Sequence, residues 1–272
     1  MNFSVKSNNV CPICPLAKQS RFPFNNSVIS STKPFEIIHY DIWGRYQHPS
    51  LTGAYYFHTI VDDYTRFTWI FFMRHKNETQ SLLKCFFSHV STQFDCRIKT
   101  FRSDNGGEFI SLRSFFQDHG VVFQTSCVYT PQQNRVVERK HRHILQVARA
   151  LKFQAHLPTQ FWGECALTVV HIINRLPSPV ISFKTPYELL YSKPPSFFHL
   201  RVFGCLAYAT NVHTSHKFDS RVIPSICIGY PIAQKGYKLL IYQLKIFLQS
   251  EMSNSTKSFF LTHPSNPNFL FP

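Results

Sequence analysis

Three β-rich runs packed into residues 35–73 limit this chain more than any other stretch. Residues 35–43 read FEIIHYDIW, residues 54–62 read AYYFHTIVD and residues 65–73 read TRFTWIFFM. Asp62-Asp63-Tyr64 is the turn between the second and third runs. Strands joined so briefly pair as antiparallel neighbours, so the segment predicts a three-stranded meander. Residues 77–94 then predict a helix. Asn77 is its cap, Gln80 sits at the third position, and Leu82, Leu83, Phe86, Phe87 and Val90 form the apolar face. Residues 97–102 are a fourth strand running into Ser103-Asp104-Asn105-Gly106-Gly107-Glu108-Phe109, where Asn-Gly-Gly forces a tight turn. A short helix at 111–119 ends at Gly120, and residues 121–126 give a fifth strand. The order of elements predicts an α/β fold, a mixed sheet with helices on its faces.

The next helix, within residues 130–151, is TPQQNRVVERKHRHILQVARAL. Thr130 can cap it, with Pro131 in the first turn and Gln133 completing a capping box. The alternative is a loop over TPQQN and a helix starting near Arg135. Either way Val137, Ile144, Ala148 and Leu151 recur at helical spacing and face a core. Arg135, Arg139, Arg142 and Arg149 form a basic stripe beside one acid, Glu138. A lone acid in such a stripe is commonly half of a surface ion pair.

Charge narrows the partners. The 272 residues hold 29 Lys and Arg against 14 Asp and Glu, a formal charge of +15. Clustering on a helix points to a phosphate backbone. With 44% apolar residues the chain has a globular composition. The N-terminus is polar, without a secretory pattern, and no apolar run approaches the roughly 18 residues of a membrane span. Cys85, Cys96, Cys127, Cys165, Cys205 and Cys227 are scattered and read as reduced and mostly buried. Cys11-Pro-Ile-Cys14 is a CxxC knuckle. A zinc site needs about four ligands, and neither a preceding His pair nor a second CxxC at finger spacing completes it.

Residues 158–176 predict a further helix and Thr185 caps a short one. Prolines at 177, 179, 186, 194 and 195 mark a break. Beyond it, 201–210 and 225–230 read as strands of a small β-barrel-like module, and 250–272 reads as unstructured. The expected division is a remnant zinc region at 1–26, a core at 27–193, a β module at 194–242 and a tail at 243–272.

Asp41 lies near the end of one central strand and Asp104 at the end of another. Glu138 lies in the first turns of the basic helix. A strand-end Asp is also a common turn former, and Asp62, Asp63 and Glu108 are competing acids. If the two strands are neighbours and the helix crosses their ends, three carboxylates converge. Such a cluster repels itself unless protonated or neutralised by cations. Mg²⁺ takes oxygen ligands and completes its shell with water and phosphate oxygens.

HYDIWG, IVDDYTRFTWIFFM, FRSDNGGEF and YTPQQNRVVERKHRHILQVARAL resemble the integrase of Ty1/copia-type LTR retrotransposons. CPICPLAKQSRFPF resembles the end of the pre-integrase zinc region. HLRVFGCLAYA, HKFDSR and IGYPIAQKGYK resemble the SH3-like segment that follows the core. The resemblance runs over residues 11–242. It implies an RNase H-like core with a mixed five-stranded sheet flanked by helices, followed by a small SH3-like β module. It implies an Asp41, Asp104, Glu138 triad holding Mg²⁺ or Mn²⁺, two ions in all. The activity implied is trimming of 3′ DNA ends and their transfer to target DNA, in the nucleus, by a homo-multimer. Arg135, Arg139, Lys140 and Arg142 would then contact DNA. Cys11 and Cys14 would be half of a Zn²⁺ site whose histidines lie earlier than this chain begins, which reads as a truncated polyprotein copy. Arg135 stands where the family pattern QQNGVVERK has Gly, and we expect it to impair catalysis.

Overall fold

A computed structural model describes residues 31–104, 106–107, 112–125, 135–211, 216–231 and 235–241. Five strands form one sheet: β1 (Ile37–Trp43), β2 (Tyr56–Asp62), β3 (Thr68–Met73), β4 (Thr100–Ser103) and β5 (Val122–Thr125). Their spatial order is β3-β2-β1-β4-β5. β1, β2 and β3 pair antiparallel, as the meander requires, whereas β1, β4 and β5 pair parallel. Each parallel return carries a helix, α1 (Thr79–Phe94) before β4 and α2 (Arg113–Asp118) before β5. The mixed sheet expected from the order of elements is therefore present.

The two turn aspartates do more than turn the chain. Asp62 is fully buried. Its carboxylate accepts from the backbone N–H of Phe35 at 2.7 Å, and from the N–H and hydroxyl of Thr65 at 2.8 and 2.7 Å. Asp63 accepts from Ser31 Oγ at 2.8 Å and lies 3.0 Å from His39 Nε2 and 3.2 Å from Arg66 Nη2. Burial pushes the Asp62 carboxyl up from its ordinary range. Burial pushes Asp63 the same way, but the His39 hydrogen bond and the Arg66 charge outweigh it and hold Asp63 low.

Each face of the sheet has its own apolar core. On one, Leu83, Phe86 and Val90 of α1 pack on Ile38, Tyr40, Ile60 and Phe101. On the other, α3 (Arg135–Gln154) and α4 (Trp162–Ile173) set Ile144, Ala148, Cys165 and Val169 against Phe57 and Ile70. Val137, Ile144 and Ala148 are buried as their spacing requires, and Leu151 is half-buried. α1 begins after a 3₁₀ turn, so Asn77 is not its cap. Glu78 instead accepts the backbone N–H groups of Arg74 and His75 at 2.9 and 2.7 Å. The start of the helix expected at residue 158 is likewise a 3₁₀ turn, Thr159–Phe161. Thr185 does cap α5 (Pro186–Tyr191), its hydroxyl accepting from Glu188 N–H at 3.0 Å.

A second, three-stranded antiparallel sheet follows: β6 (Leu206–Thr210), β7 (Val222–Gly229) and β8 (Lys238–Ile241). Phe203, Ile228 and Leu240 join the α4 core. The strands are shorter or differently bounded than expected, because Gly204 and Gly229 hold positive φ. Five cysteines are described, all free. Cys165 and Cys227 are buried, while Cys85, Cys96 and Cys205 are half-exposed rather than mostly buried. Cys127 and the CxxC pair lie outside the described residues.

β3 is an edge strand, and an edge invites unwanted pairing. Asn174, just past α4, covers it. Its Oδ1 accepts from Thr68 N–H at 2.9 Å and its Nδ2 donates to Thr68 C=O at 2.8 Å, as a neighbouring strand would. Asn174→Ala would leave both groups buried without partners. We expect a loss of about 3 kcal/mol, read as a lower urea midpoint, with an unchanged midpoint as the contrary result.

Candidate active site

β1 and β4 run side by side in parallel, with His39 opposite Arg102. Asp41 and Asp104 each lie two residues beyond that pair, Asp41 within β1 and Asp104 just past the end of β4. Asp41 falls on the His39 side of the sheet, since side chains alternate along a strand. Asp41 lies opposite Thr59 of β2, and two residues further Trp43 lies opposite Phe57. Trp43 and Phe57 pack in the core beneath α3 and α4. The Asp41 position therefore belongs to the α3 face.

Asp41 is half-buried within β1, two residues before its end. Its Oδ1 accepts from Ile42 N–H at 2.8 Å. Its Oδ2 lies 3.5 Å from His141 Nδ1 on α3. Asp104 is exposed, just past β4, and its Oδ1 accepts from Gly106 N–H at 3.3 Å, the Asx-type turn that Asn-Gly-Gly implies. Glu138 is exposed in the first turn of α3. Among the described residues, no three His, Cys, Asp or Glu side chains come close enough to hold a metal ion. Asp41 lies in the sheet, Asp104 just past a neighbouring strand and Glu138 on the helix packed against the sheet, and they do not form a closed set.

His141 is a functional candidate that the sequence reading passed over. It is buried, one helical turn after Glu138, with its ring edge-on to Phe57 at 5.6 Å. Burial pulls its pKa down to about 4. At 3.5 Å the Asp41 contact is too long for a strong hydrogen bond, so it does not reverse the desolvation. The ring is neutral at pH 7. Its signal in the sequence was its place in the Val137, His141, Ile144, Ala148 row, which marks it as facing the sheet.

The basic residues divide. Arg135, Arg139, Arg142 and Arg149 are exposed along α3. Lys140 is half-buried, and burial together with nearby Arg66 and Arg139 draws its ammonium down to about 8. Around an α-helix, Glu138 and Lys140 are about 160° apart. With His141 on the sheet, they lie on opposite flanks. Arg66, in the β2–β3 turn, is among the charges that act on Lys140, and helix phase puts Glu138 on the other flank of α3. Residues 126–134, which hold Thr130 and Pro131, lie outside the described residues. The helix is described from Arg135.

Residues 31–131 match the family model described as Integrase core domain. The chain carries an integrase core domain. Residues 205–260 match the Retroviral polymerase SH3-like domain, which agrees with the three-stranded sheet after the core. Among curated relatives, the "Retrovirus-related Pol polyprotein from transposon RE1" of Arabidopsis thaliana is 35% identical over 236 residues, 86% of this chain and 16% of that protein. The polyprotein from transposon RE2 of the same plant is 36% identical over 231 residues, 85% of this chain and 16% of that protein. The chain thus spans 16% of the length of these Ty1/copia-type relatives. Of solved structures, the catalytic core domain of BIV integrase is 19% identical with a TM-score of 0.42, covering 58% of this chain and 95% of that one.

The integrase core should carry an acid-sensitive element at His141. Its folded pKa lies below the ordinary value near 6.5, so its contribution to stability is complete above that pH and is lost as pH falls toward 4. The loss amounts to about 3 kcal/mol. Between pH 7 and pH 4 the parent should lose about that much more unfolding free energy than His141→Phe. Parallel stability curves for the two would contradict this.

Proposed function

We propose that this integrase core performs divalent-metal-dependent polynucleotidyl transfer on DNA, processing 3′ ends and joining them to a target strand. The observation that supports the reading is the parallel pairing of β1 and β4 with His39 opposite Arg102, two residues before Asp41 and Asp104 respectively. Carboxylate oxygens are the donors that Mg²⁺ or Mn²⁺ prefers, so the donor set fits such ions. Asp41, Asp104 and Glu138 would hold them. When bound, a pair of ions would lower the pKa of water or a 3′-hydroxyl and stabilise the leaving oxygen.

The chain's own residues supply the rest. Ile42 N–H fixes one Asp41 oxygen, leaving the carboxylate's other oxygen on the α3 side. Neutral His141 adds no positive charge to compete for that oxygen at pH 7. Glu138 must move in to complete the set, and its place in the first turn of α3 suits such movement. Exposed Arg135, Arg139 and Arg142 would bind DNA phosphates, as would Lys140 at the helix flank. In the transfer step the hydroxyl oxygen bonds to phosphorus as the opposite P–O bond breaks. One phosphodiester replaces another, so no energy-carrying cofactor is required. The nucleus and a multimer of this chain on paired DNA ends follow from the same reading.

A second reading is a DNA-binding fold without catalysis. Arg135 at the exposed start of α3 favours it, three residues from Glu138 and within reach of it. Joining of labelled oligonucleotide ends in Mg²⁺ or Mn²⁺ separates the two. Parent protein should join ends, and Asp104→Asn should lower joining by at least about 10³-fold while binding DNA as before. Absence of joining by the parent, with DNA binding intact, selects the second reading. Arg135→Gly should raise strand transfer, and no gain would remove the inhibitory role of Arg135.

A further inference from the structure

A cleft of about 510 Å³ opens on the opposite edge of the core sheet, between β3, α4, α5 and the small β module. With the order β3-β2-β1-β4-β5, it lies away from Asp41 and Asp104. Its walls are aromatic. Tyr230 stacks on His171 with centroids 4.2 Å apart, and Tyr187 meets Tyr191 at 4.7 Å. Tyr237 lies at the exposed rim, 6.1 Å from Tyr230.

Its charge has one sign. Arg175 and Lys235 line the cleft, and no acidic residue does so among the described residues. Arg175 lies 5.0 Å over the Tyr187 ring and donates to His171 C=O at 2.8 Å. His171 and His199 bring their Nε2 atoms to 3.0 Å, so one imidazole donates to the other and the two are not both protonated there. Burial and then the Arg175 charge hold His171 at about 3. The fixed charges are therefore the guanidinium and the ammonium, without a carboxylate to neutralise them inside the cleft.

Stacking rings with cations beside them, and no competing acid, suit a planar group carrying a nearby negative charge. The volume lies within the range of pockets that enclose a small ligand. A paired base keeps its faces inside the duplex stack and cannot enter. We propose that this cleft binds one unpaired nucleotide of a nucleic-acid strand, its base among the tyrosines and its phosphate on Arg175 and Lys235. The site would hold a strand end without cutting or joining it. It does not depend on catalysis by Asp41, Asp104 and Glu138.

The test uses the full chain carrying Asp104→Asn, so that loss of transfer activity cannot enter the result. A fluorescent short single-stranded DNA and a blunt duplex are titrated separately by polarisation. Tyr237→Ala and Lys235→Glu, both at exposed positions, should each weaken single-strand binding about 10-fold. Duplex binding should change by no more than about two-fold for Tyr237→Ala, and by clearly less than single-strand binding for the charge-reversing Lys235→Glu. Deoxyadenylate should displace the single strand at concentrations where inorganic phosphate does not. Arg175→Gln should behave like Lys235→Glu. If it fails to melt cooperatively, the two exposed variants decide. Unchanged single-strand affinity in Tyr237→Ala overturns the proposal. So does an equal loss on duplex DNA, or displacement by phosphate as effective as by deoxyadenylate.

Discussion

The buried acidic turn between β2 and β3 is the constraint on which the core geometry rests. Asp62 gathers the Phe35 and Thr65 amides and the Thr65 hydroxyl around one carboxylate. Asp63 joins Ser31, His39 and Arg66. Phe35 and His39 flank the start of β1, so the turn fixes where β1 begins relative to β2. A one-residue slip would send every β1 side chain to the other face. Asp41 would then leave the α3 side and enter the α1 core beside Phe86 and Phe101. A carboxylate there would be desolvated without partners. The position of the candidate acid at the end of β1 is thus determined by two other acids at its start.

The same economy of acids explains the electrostatics of α3. Its exposed face is basic, and its buried row admits one polar ring, His141, only in neutral form. Lys140 and Glu138 straddle that ring. On the Lys140 flank, Arg66 is paired with Asp63, yet burial and then the Arg66 and Arg139 charges still lower the Lys140 pKa. Glu138 lies on the other flank of α3, exposed in its first turn. This separation of charge is a property of helix phase, since residues two apart fall on opposite sides.

Much of this was legible in the chain. The meander was readable because three apolar runs share short connections, and the parallel returns because a helix precedes each later strand. Asp41 and Asp104 stood out because acids are few and the apolar pattern set both at or near a strand end. The helix boundaries were less legible. Asn77 is a good cap by type, yet the chain tightens into a 3₁₀ turn and Glu78 caps backward instead. His141 was hidden because histidine at an apolar position carries no motif of its own. The roles of Asp62 and Asp63 were hidden for a related reason. Turn-forming residues look alike whether their side chains face water or, as here, a buried network.

The small β module depends on the core more than its own pattern suggests. Its three strands are too few to enclose an interior, so Phe203, Ile228 and Leu240 complete their burial against α4. The approach is close. A Cβ at Gly229 would lie 2.5 Å from Thr168 Oγ1, and one at Gly204 would lie 2.5 Å from the Ala155 Cβ. Both glycines also hold positive φ, so each position excludes side chains on two independent grounds. α4 is anchored in turn to the β3 edge through Asn174, at the end of the same helix. The module, the helix and the sheet edge are therefore held by one continuous set of contacts. The aromatic cleft is the gap left where those three elements meet, and its shape follows from the docking rather than from any one of them.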